Sequence, residues 1–362
     1  MQYLSILFFV CISSVAISQE FSLDDYLSEN ENLNKAVDSV FENLSAHDRV
    51  SQLIMPAVGR LGSPEDTIKA LVAQKKIGGV LLLNGTFGQF KNWTSSYNEM
   101  NSNLNALPFL YSADAEPSLV NRKMIGSRTV PKANHISSQD QLVETATIIS
   151  EDLNQVGVNY NFAPVADVAK NKTVGYRGFG TNPENIIPYS EGFIKTTQEH
   201  NIVATAKHFP GHGLISGDTH KSLQVIDGEL KELENYPPLI ETGVLSIMVA
   251  HIAIKNNKTY NTDGLPATLS ETIVTDLLRD SLGFKGLIVT DALNMGGVIR
   301  FEDVSIKAIQ AGCDILLMPV SASKSHAAIL KKYNEQQVFE EKVNSSCKRV
   351  IRMKLCLGLM DS

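Results

Sequence analysis

The sequence predicts an α/β fold, a single (β/α)8 barrel of the TIM type with no second α/β domain. Three observations predict it. Short β-branched apolar runs alternate with helix-compatible segments, which implies βαβ units and parallel pairing. The runs number eight; that count, with their near-continuous apolar character, favours a closed barrel over an open doubly wound sheet. No GxGxxG follows the first run, which weakens a dinucleotide-binding rival.

The chain opens with MQYLSILFFVCISSVAISQE, an apolar block too short and too early for a typical membrane span. Ala16 and Ser18 put small residues ahead of a cleavage before Gln19 or Glu20, so residues 1–19 read as a secretory signal peptide. Its n-region lacks Lys and Arg, and a buried N-terminal strand is the alternative. A secreted or periplasmic protein follows, with no stable membrane insertion once the leader is removed. Lipid anchoring at Cys11 is the weaker reading, because FFVC lacks the small residues usual before a lipidated cysteine. Residues 20–44 form a polar, acidic extension with one helix, and the barrel is expected over residues 45–362.

The eight runs are LIMPAV (53–58), GGVLLLN (78–84), PFLYSAD (108–114), VNYNFAPV (158–165), ATAKHF (204–209), LSIMVAH (245–251), GLIVTD (286–291) and DILLMP (314–319). Between them QLVETATIISEDLNQVG and SETIVTDLLRDSLGF read as helices, the second with Ser270 as N-cap and Gly283 near the C-cap. The final segment, EEKVNSSCKRVIRMKLCLGL, sets Val343, Cys347, Val350, Ile351 and Leu355 on one helical face. Cys347 and Cys356 on that helix stand roughly 13 Å apart, beyond disulfide reach. Cys313 reads as a small buried residue. No disulfide framework is expected, and the 43% apolar content must hold the fold alone.

The formal charge of -7, without any basic run, argues against nucleic acid as the natural partner. Polar residues gather at one end of the runs instead. Asp114 ends the third, Lys207 and His208 the fifth, His251 the sixth and Asp291 the seventh. Barrel active sites lie at the C-terminal ends of the strands, so these residues are expected at one mouth.

Lys207 opens the stretch KHFPGHGLISGDTH. Its H-x3-H-x7-H spacing through Pro and Gly is a poor zinc pattern, and GHG alone is a weak phosphate cradle. Proton transfer suits it better. Asp218 and His220, two apart in a glycine-led loop, set a carboxylate against one imidazole nitrogen and leave the other for substrate. The carboxylate fixes the tautomer and favours the protonated ring. Asp291 would face this pair across the mouth. A nucleophilic carboxylate opposite a proton donor is the layout of a retaining glycosidase, with His assisted by Asp in place of the second carboxylate.

These segments resemble glycoside hydrolase family 3, in its β-N-acetylglucosaminidase branch. AKHFPGHG-x4-DTH is similar to that branch's KHFPGHG…DSH loop, VTDALNM to its nucleophile segment and RGFGTNP to its R-S-F-G-x-D/N-P segment; LPATLS and SLGFKGL add to the likeness. The resemblance implies Asp291 as nucleophile, His220 as acid/base and Asp218 as its orienting partner. It implies that Asp114, Arg122, Arg177, Lys207 and His208 hold the terminal sugar, with His212 in the loop motif. DAEPSLVNR departs from the family's D-x-E-G-G or D-x-E-W-G by losing both glycines, so the loop bearing Arg122 is expected to be reshaped.

The implied activity is exo-acting, retaining removal of terminal β-linked N-acetylglucosamine from peptidoglycan fragments or chitin oligosaccharides. A monomer acting on an oligosaccharide, with no metal and no organic cofactor, is expected. A phosphorylase on the same scaffold, a non-catalytic glycan-binding barrel and a metal hydrolase are the alternatives.

Overall fold

The computed structural model describes residues 21–360, so the signal-peptide reading of residues 1–19 and Cys11 lies outside the described residues. All eight apolar runs carry strands. The first splits into β1 (Ile54–Met55) and β2 (Ala57–Gly59) around Pro56, which has no N–H for the ladder. β3 (Gly79–Thr86), β4 (Leu110–Ala113), the short β5 (Met124–Ile125), β6 (Tyr160–Asn161) and β7 (Val203–Phe209) follow. Next come β8 (Gln224–Asp227), β9 (Ser246–Val249), β10 (Ile252–Lys255), β11 (Leu287–Thr290) and β12 (Leu316–Leu317).

The main sheet is parallel and runs β2-β3-β4-β6-β7-β9-β11, with β5 added beside β3. Every residue of β4, β7, β9 and β11 is buried. Cover on both faces explains why these runs are largely apolar along their length rather than only at alternate positions. The sheet curls. β1, continuous with β2 through Pro56, pairs with β12 through Ile54–Leu316 and Met55–Leu317, while Val289 at the other edge bridges to Ile315.

β8 and β10 form a separate parallel pair, Gln224–Asp227 against Ile252–Lys255. The sequence reading had no strand here, since two four-residue pieces give too short a period to read. Their pairing fixes the chain as it leaves the Asp218–His220 loop. The helix expected over SETIVTDLLRDSLGF spans Thr272–Ser281 and is wound wider than an α-helix. Its cap is Glu271 rather than Ser270, which instead accepts the Val274 N–H on its carbonyl at 3.0 Å. Gly283 ends it at φ +66°, where a left-handed turn favours glycine.

The last helix, Gln337–Cys356, buries the five residues of its expected face and packs on helix Glu31–Glu42. Arg352 ties the N-terminal extension to it, donating to the carbonyls of Tyr26 and Ser28 at 2.7 Å each. Cys313, Cys347 and Cys356 are all buried, and burial pushes the thiols of Cys347 and Cys356 up to about 12.

Lys354 on the same helix is fully buried with neutral partners, donating to Gln52 Oε1 at 2.6 Å and the Gly78 carbonyl at 3.1 Å. Burial pulls its pKa down to about 7. Between that value and the ordinary lysine range the unfolded chain binds more protons than the native one, so stability rises with pH across that window. The penalty is full below about pH 7. The melting temperature should therefore climb from pH 7 to 9, and Lys354→Met should flatten the climb. Equal slopes in the two proteins would clear Lys354 of that role.

Candidate active site

A cavity of about 520 Å3 at the C-terminal ends of the strands is lined by Asp114, Arg122, Arg177, Lys207, His208, His220 and Asp291, among others. Seven of the eight expected site residues thus share one space. The eighth, Asp218, stands behind His220. His251 does not join them. It is wholly buried, its Nδ1 meeting Thr268 Oγ1 at 2.8 Å and its Nε2 meeting the Ala292 carbonyl at 2.9 Å. It supports the segment after Asp291 instead of facing the cavity.

Lys207 and His208 are sequence neighbours, which on a regular strand would face opposite sides. The register of β7 against β9 shifts between Lys207 and Phe209, leaving His208 as an extra residue. Such a bulge re-aims side chains, and here both line the cavity. Lys207 is 1% exposed. Its Nζ lies 3.1 Å from Asp114 Oδ1 and 2.6 Å from Glu116 Oε1. Burial alone would lower the ammonium pKa, but Glu116 and Asp114 together raise it. Burial likewise works against ionised Asp114, and Lys207, Lys123 and Arg177 outweigh it, holding the carboxyl well below its usual range.

Glu116 was missing from the sequence reading. It is 0% exposed and receives a two-pronged Arg177, Nε to Oε2 and Nη2 to Oε1, both at 2.7 Å. The signal was present: an acidic residue two beyond Asp114, able to share its side of the chain. Asn161 of β6 grips the intervening Ala115 on both its N–H and its carbonyl, at 3.1 and 3.2 Å. Glu116→Gln would leave Lys207 and Arg177 buried with one fewer negative charge. Removing one member of such a group should destabilise the fold by about 3 kcal/mol, visible as a lower denaturant midpoint. An unchanged midpoint would show that Glu116 is dispensable to the network.

The loop that loses both glycines still makes one left-handed turn. Ser118 stands at φ +60°, in the left-handed region where glycine is favoured, and caps a short helix Leu119–Lys123. Arg122 on that helix still reaches the cavity and donates to the Tyr176 hydroxyl.

Asp167, also missed, organises the KHFPGHG turn. Its Oδ2 meets His208 Nδ1 at 2.6 Å, and its Oδ1 accepts the backbone N–H groups of His208 and His212 at 3.1 and 2.9 Å. Glu232 adds three more backbone contacts, accepting from Val168, Gly213 and Leu214 at 2.8, 3.0 and 3.0 Å. Gly213 has no room for a side chain, since a Cβ there would lie 1.8 Å from the Val168 carbonyl oxygen. His212 does not line the cavity; its Nε2 meets Thr219 Oγ1 at 2.8 Å. Burial lowers its pKa to about 4, so the ring is neutral and structural.

His220 Nδ1 lies 2.9 Å from Asp218 Oδ1, which also accepts the His220 backbone N–H at 3.0 Å. One carboxylate oxygen thus orients both the ring and its peptide, and Nε2 remains for proton transfer. Asp291 ends β11, its backbone N–H held by the Val249 carbonyl at 2.9 Å and its Oδ1 accepting from Ala292 N at 2.7 Å. Burial would raise its pKa, yet His208 and His251 lead a set of groups that lower it. The carboxylate is therefore ionised at neutral pH, and it shares the cavity with His220.

Residues 45–353 match the model described as the glycosyl hydrolase family 3 N terminal domain. The chain is 29% identical over 332 residues to beta-hexosaminidase A of Pseudoalteromonas piscicida, covering 79% of this chain and 54% of that protein. It is 28% identical over 278 residues to a beta-N-acetylglucosaminidase/beta-glucosidase of Cellulomonas fimi, covering 69% and 49%. The chain thus spans about half the length of these two relatives. A solved family 3 beta-N-acetylglucosaminidase from a Paenibacillus species superposes with a TM-score of 0.80 at 27% identity, over 87% of this chain and 63% of that one.

Proposed function

Because the chain belongs to glycosyl hydrolase family 3, we propose that it is an exo-acting, retaining glycosidase for terminal β-linked N-acetylglucosamine. Peptidoglycan fragments or chitin oligosaccharides are its substrates. One observation carries the reading: Asp291 and the His220–Asp218 pair, from separate strands, converge on one cavity that also holds Asp114, Lys207 and Arg177.

Asp291 attacks the anomeric carbon and forms a glycosyl-aspartate, while His220 Nε2 gives its proton to the departing oxygen. His220 then takes a proton from water as it attacks that ester, so two inversions return the original β configuration. Asp218 keeps Nδ1 protonated throughout. Asp114, Lys207, His208, Arg122 and Arg177 bind the sugar's hydroxyls, with Glu116 fixing Lys207 and Arg177 from below.

The curled sheet is read here as one closed barrel, supported by the β1–β12 pairing and the Val289–Ile315 bridge. Secretion to the periplasm or beyond rests on the leader at residues 1–19. Among the described residues no helix is long and apolar enough to cross a membrane.

Chromogenic N-acetyl-β-glucosaminide, β-glucoside and β-xyloside, assayed side by side, test the substrate, and proton NMR of the first product tests retention. A preference for glucoside, or an initial α product, overturns the reading.

A second reading is a phosphorylase. The proton-transfer group is an imidazole, which does not repel a phosphate dianion as a carboxylate would. Arg122 and Lys172 also line the cavity without a carboxylate ion pair among the described residues. Sugar 1-phosphate formed in added phosphate would favour this reading.

A further inference from the structure

The loop bearing His220 has little side-chain packing of its own at that point, the His220 and Lys221 side chains being 64% and 83% exposed. Its backbone is held instead. Gly296 N–H donates to the His220 carbonyl at 3.0 Å, and Gly297 N–H donates to the Thr219 carbonyl at 2.9 Å. Both glycines lie on the chain that leaves Asp291. On the opposite side the Thr219 hydroxyl is anchored to His212 at 2.8 Å.

The approach leaves no space for a side chain at Gly296 and little at Gly297. A Cβ at Gly296 would stand 2.3 Å from the Lys221 carbonyl oxygen and 2.8 Å from that of His220. A Cβ at Gly297 would meet His251 Cβ at 3.0 Å and the Thr219 carbonyl oxygen at 3.1 Å. Neither glycine has a left-handed φ, so contact and not backbone conformation demands glycine here.

We infer that Gly296 and Gly297 are positioning residues for proton transfer, latching the His220 segment onto the segment that begins with Asp291. The inference rests on the acid/base reading of His220. Two rigid backbone bonds register the proton donor against the nucleophile, although the two belong to loops of different strands. Alanine at Gly296 pushes the His220 peptide away while leaving Asp291, its backbone bonds and the sugar-binding cluster in place.

The test is Gly296→Ala in the full chain, measured on two N-acetyl-β-glucosaminides, one with a dinitrophenyl and one with an alkyl leaving group. General acid catalysis contributes about 10²- to 10⁴-fold, and a displaced donor should forfeit part of it. The alkyl substrate should lose roughly 10- to 100-fold in kcat/KM, and the dinitrophenyl substrate no more than about 3-fold. In a His220→Ala background, Gly296→Ala should then cost almost nothing more on the alkyl substrate, because the donor it positions is gone. Gly297→Ala, with its milder contacts, gives the same pattern in smaller measure and serves if Gly296→Ala does not fold. Equal losses on both substrates, or a full additional loss in the His220→Ala background, would overturn the latch. Wild-type rates in both glycine variants would do the same. If His220→Ala itself shows no leaving-group dependence, the acid/base reading fails first, and the latch falls with it.

Discussion

Asp291→Asn should lose on the order of 10⁴-fold or more in kcat, with a melting temperature close to that of the parent protein. The amide keeps the volume of the carboxyl and can still accept the Ala292 N–H that Asp291 Oδ1 accepts at 2.7 Å. The backbone bond to Val249 does not involve the side chain. What disappears is the charge and the nucleophilic oxygen. Against burial, which would raise it, His208 leads the groups that hold the carboxyl below its usual range, so the native protein needs no deprotonation step before attack. Without it no glycosyl ester forms, and activated and unactivated substrates should suffer alike. A burst of aglycone from Asp291→Asn, or turnover near that of the parent, would take the nucleophile's role from Asp291.

The parts of this molecule legible in its sequence are those where the physics is local. A strand buried on both faces can be apolar at consecutive positions, so runs such as LSIMVAH and GLIVTD mark themselves without any partner being known. The polar residue that ends such a run stands out against it. Asp218 and His220 are also a local pair, joined across two residues.

What could not be read depends on partners far along the chain. Glu116 matters because Lys207 and Arg177 lie against it, and Asp167 because His208 and His212 do. Glu116 carries a local hint in its spacing from Asp114, but neither carboxylate's neighbours in sequence reveal which distant groups it holds. His251 misled for the converse reason. It ends an apolar run as Asp291 does, but its ring is consumed by Thr268 and the Ala292 carbonyl. Gly296 and Gly297 look like an ordinary flexible pair until the His220 peptide is set against them.

His220→Ala should produce a pattern and not only a loss. The ring is oriented by Asp218 through Nδ1, and Nε2 is the atom left to move a proton. A dinitrophenolate departs with little help, whereas a sugar alkoxide needs that proton in the transition state. Alkyl and oligosaccharide substrates should therefore lose about 10²- to 10⁴-fold, and the activated aryl substrate much less in its first step. The second step also needs His220, now as a base toward water. With the activated substrate the glycosyl-Asp291 ester should accumulate, seen as a burst and as a mass increase of one sugar on the intact protein. Azide needs no base. It should restore turnover in His220→Ala and release a β-glycosyl azide, since the ester is attacked from the face opposite Asp291. Asp218→Ala should move in the same direction but less far, because the imidazole remains while its tautomer and orientation are no longer held. Equal losses on both substrates, with neither burst nor azide rescue, would reduce His220 to a binding residue and leave the proton to another group.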